Sequence, residues 1–193
     1  MPLDILPHPT AASVRLAPVE PRYAPLFCFA LLTFACALAS FAFACATPFA
    51  AFAVVAAAML PLRPALLVMT AAWLVNQAIG FGCLGYPVDT NTILWGFAIG
   101  AAALAATAIS MLVLRSLRRT GSLVALGVAL ICAYAAYELV LVAATPFVGG
   151  AGDFTAAIVG RLGVLSLLWL IGLVAACEVF RLLNPVPRRQ ILS

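Results

Sequence analysis

Charged residues are scarce in this chain, and lysine is missing altogether. Only 8% of the 193 residues are charged, whereas a soluble domain has roughly 25%. Hydrophobic residues make up 66% of the chain, and the mean hydropathy is +1.21. Such a chain has too few charged residues to form a hydrophilic surface on all sides. The composition therefore excludes an ordinary soluble domain and predicts an all-α, polytopic integral membrane protein that faces lipid.

Residues for catalysis or metal binding are also few. Histidine occurs once, at His8 in the N-terminal tail, where we expect it to be solvated. The sequence has no serine–histidine or cysteine–histidine pairing, no paired carboxylates at a suitable spacing and no H-E-x-x-H motif. We therefore assign no catalytic residue and expect no enzyme, no metal and no cofactor.

The six cysteines stand in apolar runs without C-x-x-C spacing. This arrangement predicts small buried hydrophobes instead of a zinc site or a disulfide framework. A pairing of Cys45 with Cys83, which are both expected near the outer ends of their helices, stays open.

Six apolar runs are present, each bounded by proline, glycine or charge. A membrane span needs about 20 such residues. The runs extend from about Ala24 to Cys45, Phe49 to Leu60, Pro64 to Leu84, Ile93 to Leu114, Ser122 to Thr145 and Thr155 to Leu183. The second run is short, so a tilted, kinked or partly re-entrant segment stays open there. The predicted organisation is a cytoplasmic tail over residues 1–23, a six-span domain over 24–183 and a cytoplasmic tail over 184–193.

Arginine predicts the orientation of these spans. With the N-terminus inside, nine of the ten arginines fall on one side: Arg15, Arg22, Arg63, Arg115, Arg118, Arg119, Arg181, Arg188 and Arg189. The opposite loops hold Asp89 and Asp153 but no arginine. The positive-inside rule therefore predicts a multi-pass protein of a bacterial-type plasma (inner) membrane with both termini in the cytoplasm. Because the net charge of +4 comes from these short segments, it does not indicate a nucleic-acid partner.

Polar groups inside the spans are the candidates for function, since hydrocarbon tolerates them poorly. Glu138 and Arg161 fall in neighbouring antiparallel spans, each ~10 Å below the outer surface at 1.5 Å per residue. Unpaired, each charge would cost about 2.5–3.5 kcal/mol, so we expect an ion pair that faces the bundle. This pair would fix helix packing, or would also line a ligand cavity; both interpretations stay open.

Two further places carry polar or aromatic side chains on the outer side. Trp73, Asn76 and Gln77 lie close together on the third helix, either for interhelical hydrogen bonding or for a ligand. The loop before the fourth helix holds Asp89, and we expect Asn91 or Thr92 to cap that helix. The candidate substrate-binding residues are Trp73, Asn76, Gln77, Asp89, Trp95, Tyr137, Glu138 and Arg161. Their position in the outer half predicts an outward-facing cavity for a small polar molecule.

Residues 46–110 carry a resemblance to a known family. The stretches are Ala46-Thr47-Pro48-Phe49-Ala50-Ala51-Phe52-Ala53, the turn at Arg63, and Asn76-Gln77-Ala78-Ile79-Gly80-Phe81. This pattern resembles the substrate-binding S components of energy-coupling factor (ECF) transporters and S-component-like uncharacterised membrane families. The resemblance implies capture of an organic micronutrient outside the cell, with a transmembrane coupling subunit and cytoplasmic ATPases as partners. The spacing of Ala35 and Ala39 is similar to the small-residue motif with which such components dock. His8 does not match the N-terminal histidine motif of the cobalt and nickel components, which disfavours a metal substrate.

Three hypotheses follow. The first is a membrane-embedded solute-binding component of an uptake transporter, which requires an outward pocket containing Glu138, Arg161, Asn76 and Gln77. The alternative is a structural or assembly subunit of a larger membrane complex, in which these groups satisfy one another and leave no void. A stand-alone proton-coupled carrier using Glu138 is a third hypothesis, but the sequence has no repeat or broken-helix pair typical of alternating access.

Overall fold

The computed structural model describes residues 16–43, 46–149 and 155–183. Those residues form no strand and six helices: α1 (Ala24–Phe43), α2 (Phe49–Met59), α3 (Leu62–Gly82), α4 (Thr90–Ser116), α5 (Ser122–Val148) and α6 (Ala156–Leu183). All but α2 are long and apolar enough to cross a membrane. The predicted helical class is confirmed at this level. Residues 1–15 of the predicted N-terminal tail, the whole predicted C-terminal tail, and the predictions for His8, Arg15, Cys45, Asp153, Arg188 and Arg189 lie outside the described residues.

Contacts between helices fix their relative directions. The Cys36 thiol of α1 donates to the carbonyl of Ala72 in α3, and four residues further along both helices Asn76 donates to Ser40. α1 and α3 are therefore parallel. The Phe27 ring near the start of α1 meets the Phe180 ring near the end of α6, so those two helices are antiparallel.

The arginines gather at one end of the bundle as a result. That end, called here the arginine end, holds the starts of α1, α3 and α5 and the ends of α4 and α6. Its basic residues are Arg22, Arg63, Arg115, Arg118, Arg119 and Arg181. The opposite end, called the Asp89 end, holds the loop between α3 and α4. Among the described arginines only Arg161 lies toward the Asp89 end.

The short helix α2 forms the centre of the bundle. All eleven of its residues are buried, and it contacts each of the other five helices. Eleven residues make about 16 Å of helix, roughly half of a hydrocarbon core of ~30 Å. Because protein surrounds α2, its non-helical flanks are tolerated at membrane depth. At the arginine end the chain before α1 covers it, where the Leu16 amide donates to the carbonyl of Ala58.

Side-chain hydrogen bonds explain two helix ends that differ from the sequence prediction. α5 continues through Pro146 to Val148, because the Thr145 hydroxyl donates to the Val142 carbonyl, the acceptor that the missing N–H of proline leaves free. α4 begins at Thr90 because the Asp89 carboxylate accepts a hydrogen bond from the Thr92 amide at 2.8 Å. The prediction that Asn91 or Thr92 supplies this cap is wrong, since Asp89 is the cap.

Candidate functional site

A small cavity lies at the N-terminal end of α2, toward the Asp89 end of the bundle. Its volume is about 110 Å³, and residues of α2, α4, α5, α6 and the segment before α2 border it. The polar and aromatic side chains around it are Thr47, Phe49, Trp95, Tyr134, Tyr137, Glu138 and Ser166. Trp95, Tyr137 and Glu138 belong to the residues that the sequence predicts for substrate binding, and the fold brings these three together.

Glu138 provides the charge of this cavity. Its Oε1 atom is shielded from solvent and has no hydrogen-bond partner within the described part of the chain. Tyr134, one turn earlier on α5, donates its hydroxyl to the carbonyl of Val159 at 2.6 Å, and the same hydroxyl interacts with the Glu138 carboxylate. A buried polar atom without a partner is costly. Oε1 of Glu138 therefore favours a bound ligand that supplies a hydrogen-bond donor or a positive charge, because the described side chains supply neither to this atom.

Aromatic rings form much of the wall around the carboxylate. Phe49, the first residue of α2, stacks on Tyr137 with the ring centroids 6.4 Å apart. Trp95 from the first turns of α4 and Tyr134 from α5 border the same space. The cavity exists because α2 begins only at Phe49, short of the level that α4 and α5 reach at this end. It joins one acidic group to four aromatic rings.

Asn76 and Gln77 do not line the cavity; they are bonded inside the bundle. The buried amide of Asn76 donates to the Ser40 hydroxyl at 2.9 Å and to the Thr47 hydroxyl at 3.0 Å. The side-chain amide of Gln77 donates in turn to the side-chain oxygen Oδ1 of Asn76. This network ties α1, α3 and the segment before α2 together. It touches the cavity at one point only, because Thr47 belongs to both.

Trp73 also has its partners inside the bundle, in the neighbouring helix α4. Its indole N–H donates to the carbonyl of Gly96 in α4 at 2.9 Å, and the ring lies over Gly100, where an added Cβ would come within 2.7 Å of it. A Cβ at Gly96 would meet the Gln77 side chain at 2.5 Å. The glycines of α4 thus accommodate side chains of α3 where the two helices pack together.

The predicted ion pair between Glu138 and Arg161 is wrong. Over the described ranges the ion pairs are Arg22–Glu20 and Arg181–Glu178. Arg161 is exposed and lies in a groove between the end of α1 and the start of α6. Its predicted orientation toward the bundle is therefore wrong as well.

Glu138 and Arg161 do not pair because they lie at different distances from the Asp89 end of the bundle. α5 ends at Val148, so Glu138 lies ten residues, about 15 Å, from its end. Arg161 lies five residues after the start of α6 at Ala156, about 8 Å from that end. From such a position arginine lays its methylene chain along apolar surface and keeps the guanidinium in the polar interface.

Two other residues named from the sequence, Asp89 and Cys83, are exposed at this end. Asp89 is exposed as the cap of α4 and does not border the cavity. Cys83 is exposed with a free thiol, while Cys45 lies outside the described residues.

Besides Tyr134, which the candidate residues do not include, the sequence reasoning missed three polar or aromatic residues of the cavity. Phe49 and Ser166 look like ordinary members of apolar runs, and Thr47 like a loop residue, because their role depends on where α2 begins in space. Pro48 is the one local signal, since it is the N-cap residue of α2 and proline marks helix starts in a sequence. In comparisons with family models, curated proteins and solved structures, nothing matches this chain.

Proposed function

We propose that this protein is the membrane-embedded solute-binding component of an uptake system, and that it captures a small molecule in the cavity around Glu138. The observation that carries the proposal is the shielded, unpartnered Oε1 of Glu138 in an aromatic cavity. Intramembrane carboxylates are costly and are kept where they serve a function. The polar groups of Asn76 and Gln77 have partners, which leaves Glu138 as the group without an evident packing role.

The size of the cavity favours a small solute. At about 110 Å³ it exceeds the roughly 10–15 Å³ that one water needs. It lies below the range of about 300–1,000 Å³ that is typical of sites for drug-sized ligands. A solute of a few heavy atoms is therefore favoured over a large vitamin.

A six-span topology with both ends in the cytoplasm supports capture from outside. α1 and α3 are parallel, so the chain has to return between them, and residues 44–61 are the only ones available. About 16 Å of helix in α2 and the five described non-helical residues beside it, 46–48 and 60–61, at ~3.3 Å each reach about 33 Å, enough to cross a hydrocarbon core of ~30 Å. The positive-inside rule then puts the arginine end in the cytoplasm and the cavity toward the outside.

Passage of the solute inward needs partners in this proposal. Following the resemblance to ECF S components, a transmembrane coupling subunit and cytoplasmic ATPases would supply the energy. The described chain has no broken-helix pair of the type that lets a carrier work alone.

Purification of the full chain in mild detergent, followed by mass spectrometry of the co-purifying proteins and small molecules, tests the proposal. We expect a small solute, an ATPase and a second membrane protein. Recovery inside a respiratory or photosynthetic complex, with no bound solute, would overturn it.

A structural or assembly subunit is the second candidate function. The network of Asn76, Gln77, Ser40 and Thr47 favours it, because these groups satisfy one another as a packing subunit requires. An apolar groove between α1 and α6, lined by Phe34, Leu168 and neighbouring residues, is a surface on which another helix would pack.

A further inference from the structure

The cavity at Glu138 also indicates the chemical class of its ligand. We propose that it binds a small organic cation, a primary to quaternary ammonium group with few heavy atoms. This inference rests on the proposed function, since it names the kind of solute that the cavity captures.

Charge is the first argument. Glu138 is the acidic group of the cavity, and no arginine borders it among the described residues. Arg161, the nearest candidate along α6, lines the adjoining groove beside α1, which shares Ala46 and Leu162 with the cavity, and does not line the cavity itself. An anionic ligand would be repelled by the carboxylate of Glu138. A neutral ligand would leave the negative charge of Glu138 without a counter-charge. A cation compensates it, and a buried charge is tolerated when it is paired.

The aromatic wall is the second argument. Trp95, Tyr134, Tyr137 and Phe49 present rings to the same space. The face of an aromatic ring carries negative electrostatic potential and attracts ammonium groups, most strongly when water is excluded. A cavity lined by four aromatic residues and one carboxylate has the composition of the aromatic cages that recognise methylated ammonium ions.

The donor pattern is the third argument. Oε1 of Glu138 is shielded from solvent and accepts no hydrogen bond from the described residues. An ammonium N–H would supply this missing donor. A quaternary ammonium ion would satisfy the charge through contact with the carboxylate and the rings. The volume of about 110 Å³ limits the cation to small ones in both cases.

A binding series on the purified full chain tests the inference. Methylammonium, tetramethylammonium and choline are the cationic probes, 3,3-dimethyl-1-butanol is the neutral isostere of choline, and acetate is the anion. Isothermal titration calorimetry and thermal-shift measurements report on binding. We expect at least one cation to bind with one-to-one stoichiometry, with the isostere at least tenfold weaker and acetate without effect.

Two variants locate the binding. Glu138→Gln keeps the shape of the side chain but removes its charge, and should weaken the cation at least tenfold. Glu178→Gln is the matched control, because Glu178 pairs with Arg181 at the other end of the bundle, and should leave binding unchanged. The comparison of choline with its isostere on the unaltered chain needs no variant, so it remains informative even where Glu138→Gln fails to fold.

The outcomes separate this inference from the function on which it rests. If the isostere binds as tightly as choline, or if the purified protein carries a neutral or acidic solute and no cation binds, the cation inference is wrong and solute capture stands. If no solute of any charge is found on the protein or binds to it, the proposed function is wrong too.

Discussion

At the scale of single residues, hydrogen-bond partners decide which polar groups are available to a ligand. Asn76 looks like a binding residue in the sequence, but Ser40 and Thr47, 36 and 29 positions away, accept its amide hydrogens. Oε1 of Glu138 lacks such a partner among the described residues. A sequence pattern indicates that both lie in a span. It does not identify their partners, because these come from other helices.

The Asn76 network gives a prediction about stability. Asn76→Ala should lower the free energy of unfolding by about 1–2 kcal/mol, because it removes two side-chain hydrogen bonds, to Ser40 of α1 and to Thr47 before α2. Such bonds are each worth ~0.6 kcal/mol on average in membrane proteins, and the substitution also deprives Gln77 of its acceptor. Thermal unfolding in detergent measures this. The control is Asn91→Ala at the exposed start of α4, and equal melting temperatures for the two variants would contradict the role of the network.

For Arg161, in contrast to Asn76, we predict almost no effect on stability. Because it is exposed and forms no ion pair with Glu138, Arg161→Gln should change stability by less than about 0.5 kcal/mol, as surface substitutions do. Arg118→Gln, in the exposed loop after α4, is the comparison and should behave alike. A much larger loss of melting temperature for Arg161→Gln alone would show that the guanidinium has a buried partner.

At the scale of elements, small residues determine how closely the helices pack. The helices α4 and α5 pack against each other, and both carry buried alanines, among them Ala102, Ala106, Ala125 and Ala129. Gly96 and Gly100 receive the side chains of Gln77 and Trp73 from α3. Without a hydrophobic driving force inside lipid, such close packing is what holds helices together.

A matched pair of glycine substitutions tests this packing. Gly100→Ala should destabilise the protein by about 1–3 kcal/mol, the usual cost of overpacking, because its Cβ would lie 2.7 Å from the Trp73 indole. Gly127→Ala adds the same methyl group where nothing lies within 4 Å, and should be neutral or stabilising by up to ~1 kcal/mol. If both variants unfold at the same temperature, the close approach of α3 to α4 is not as described.

At the scale of the whole molecule, the sequence predicts the long helices and the clustering of arginine, but not the central place of α2. Length and hydropathy identify helices in lipid reliably because the hydrocarbon core sets both. α2 is apolar on every face, a pattern typical of a buried helix and equally of one surrounded by lipid. Its central position, and the cavity at its end, follow only from the packing of all six helices. The sequence predicts Glu138 too close to the outer end of its helix, because it ends the fifth span at Thr145 whereas α5 continues to Val148.

The orientation of the bundle has a direct test at Cys83. Its thiol is free and exposed at the end opposite the arginines. In a variant that keeps only this cysteine, a membrane-impermeant maleimide should label intact cells. An Arg118→Cys substitution in a cysteine-free background should react only after permeabilisation. The reverse labelling pattern would place the cavity on the cytoplasmic side.

Whether the Glu138 cavity holds a solute is tested most directly by native mass spectrometry of the protein released from mild detergent. The account predicts one small-molecule adduct on the unaltered chain, its retention in Glu178→Gln and its loss in a folded Glu138→Gln variant. Identical spectra for all three proteins, with no adduct or with one that Glu138→Gln keeps, would contradict it.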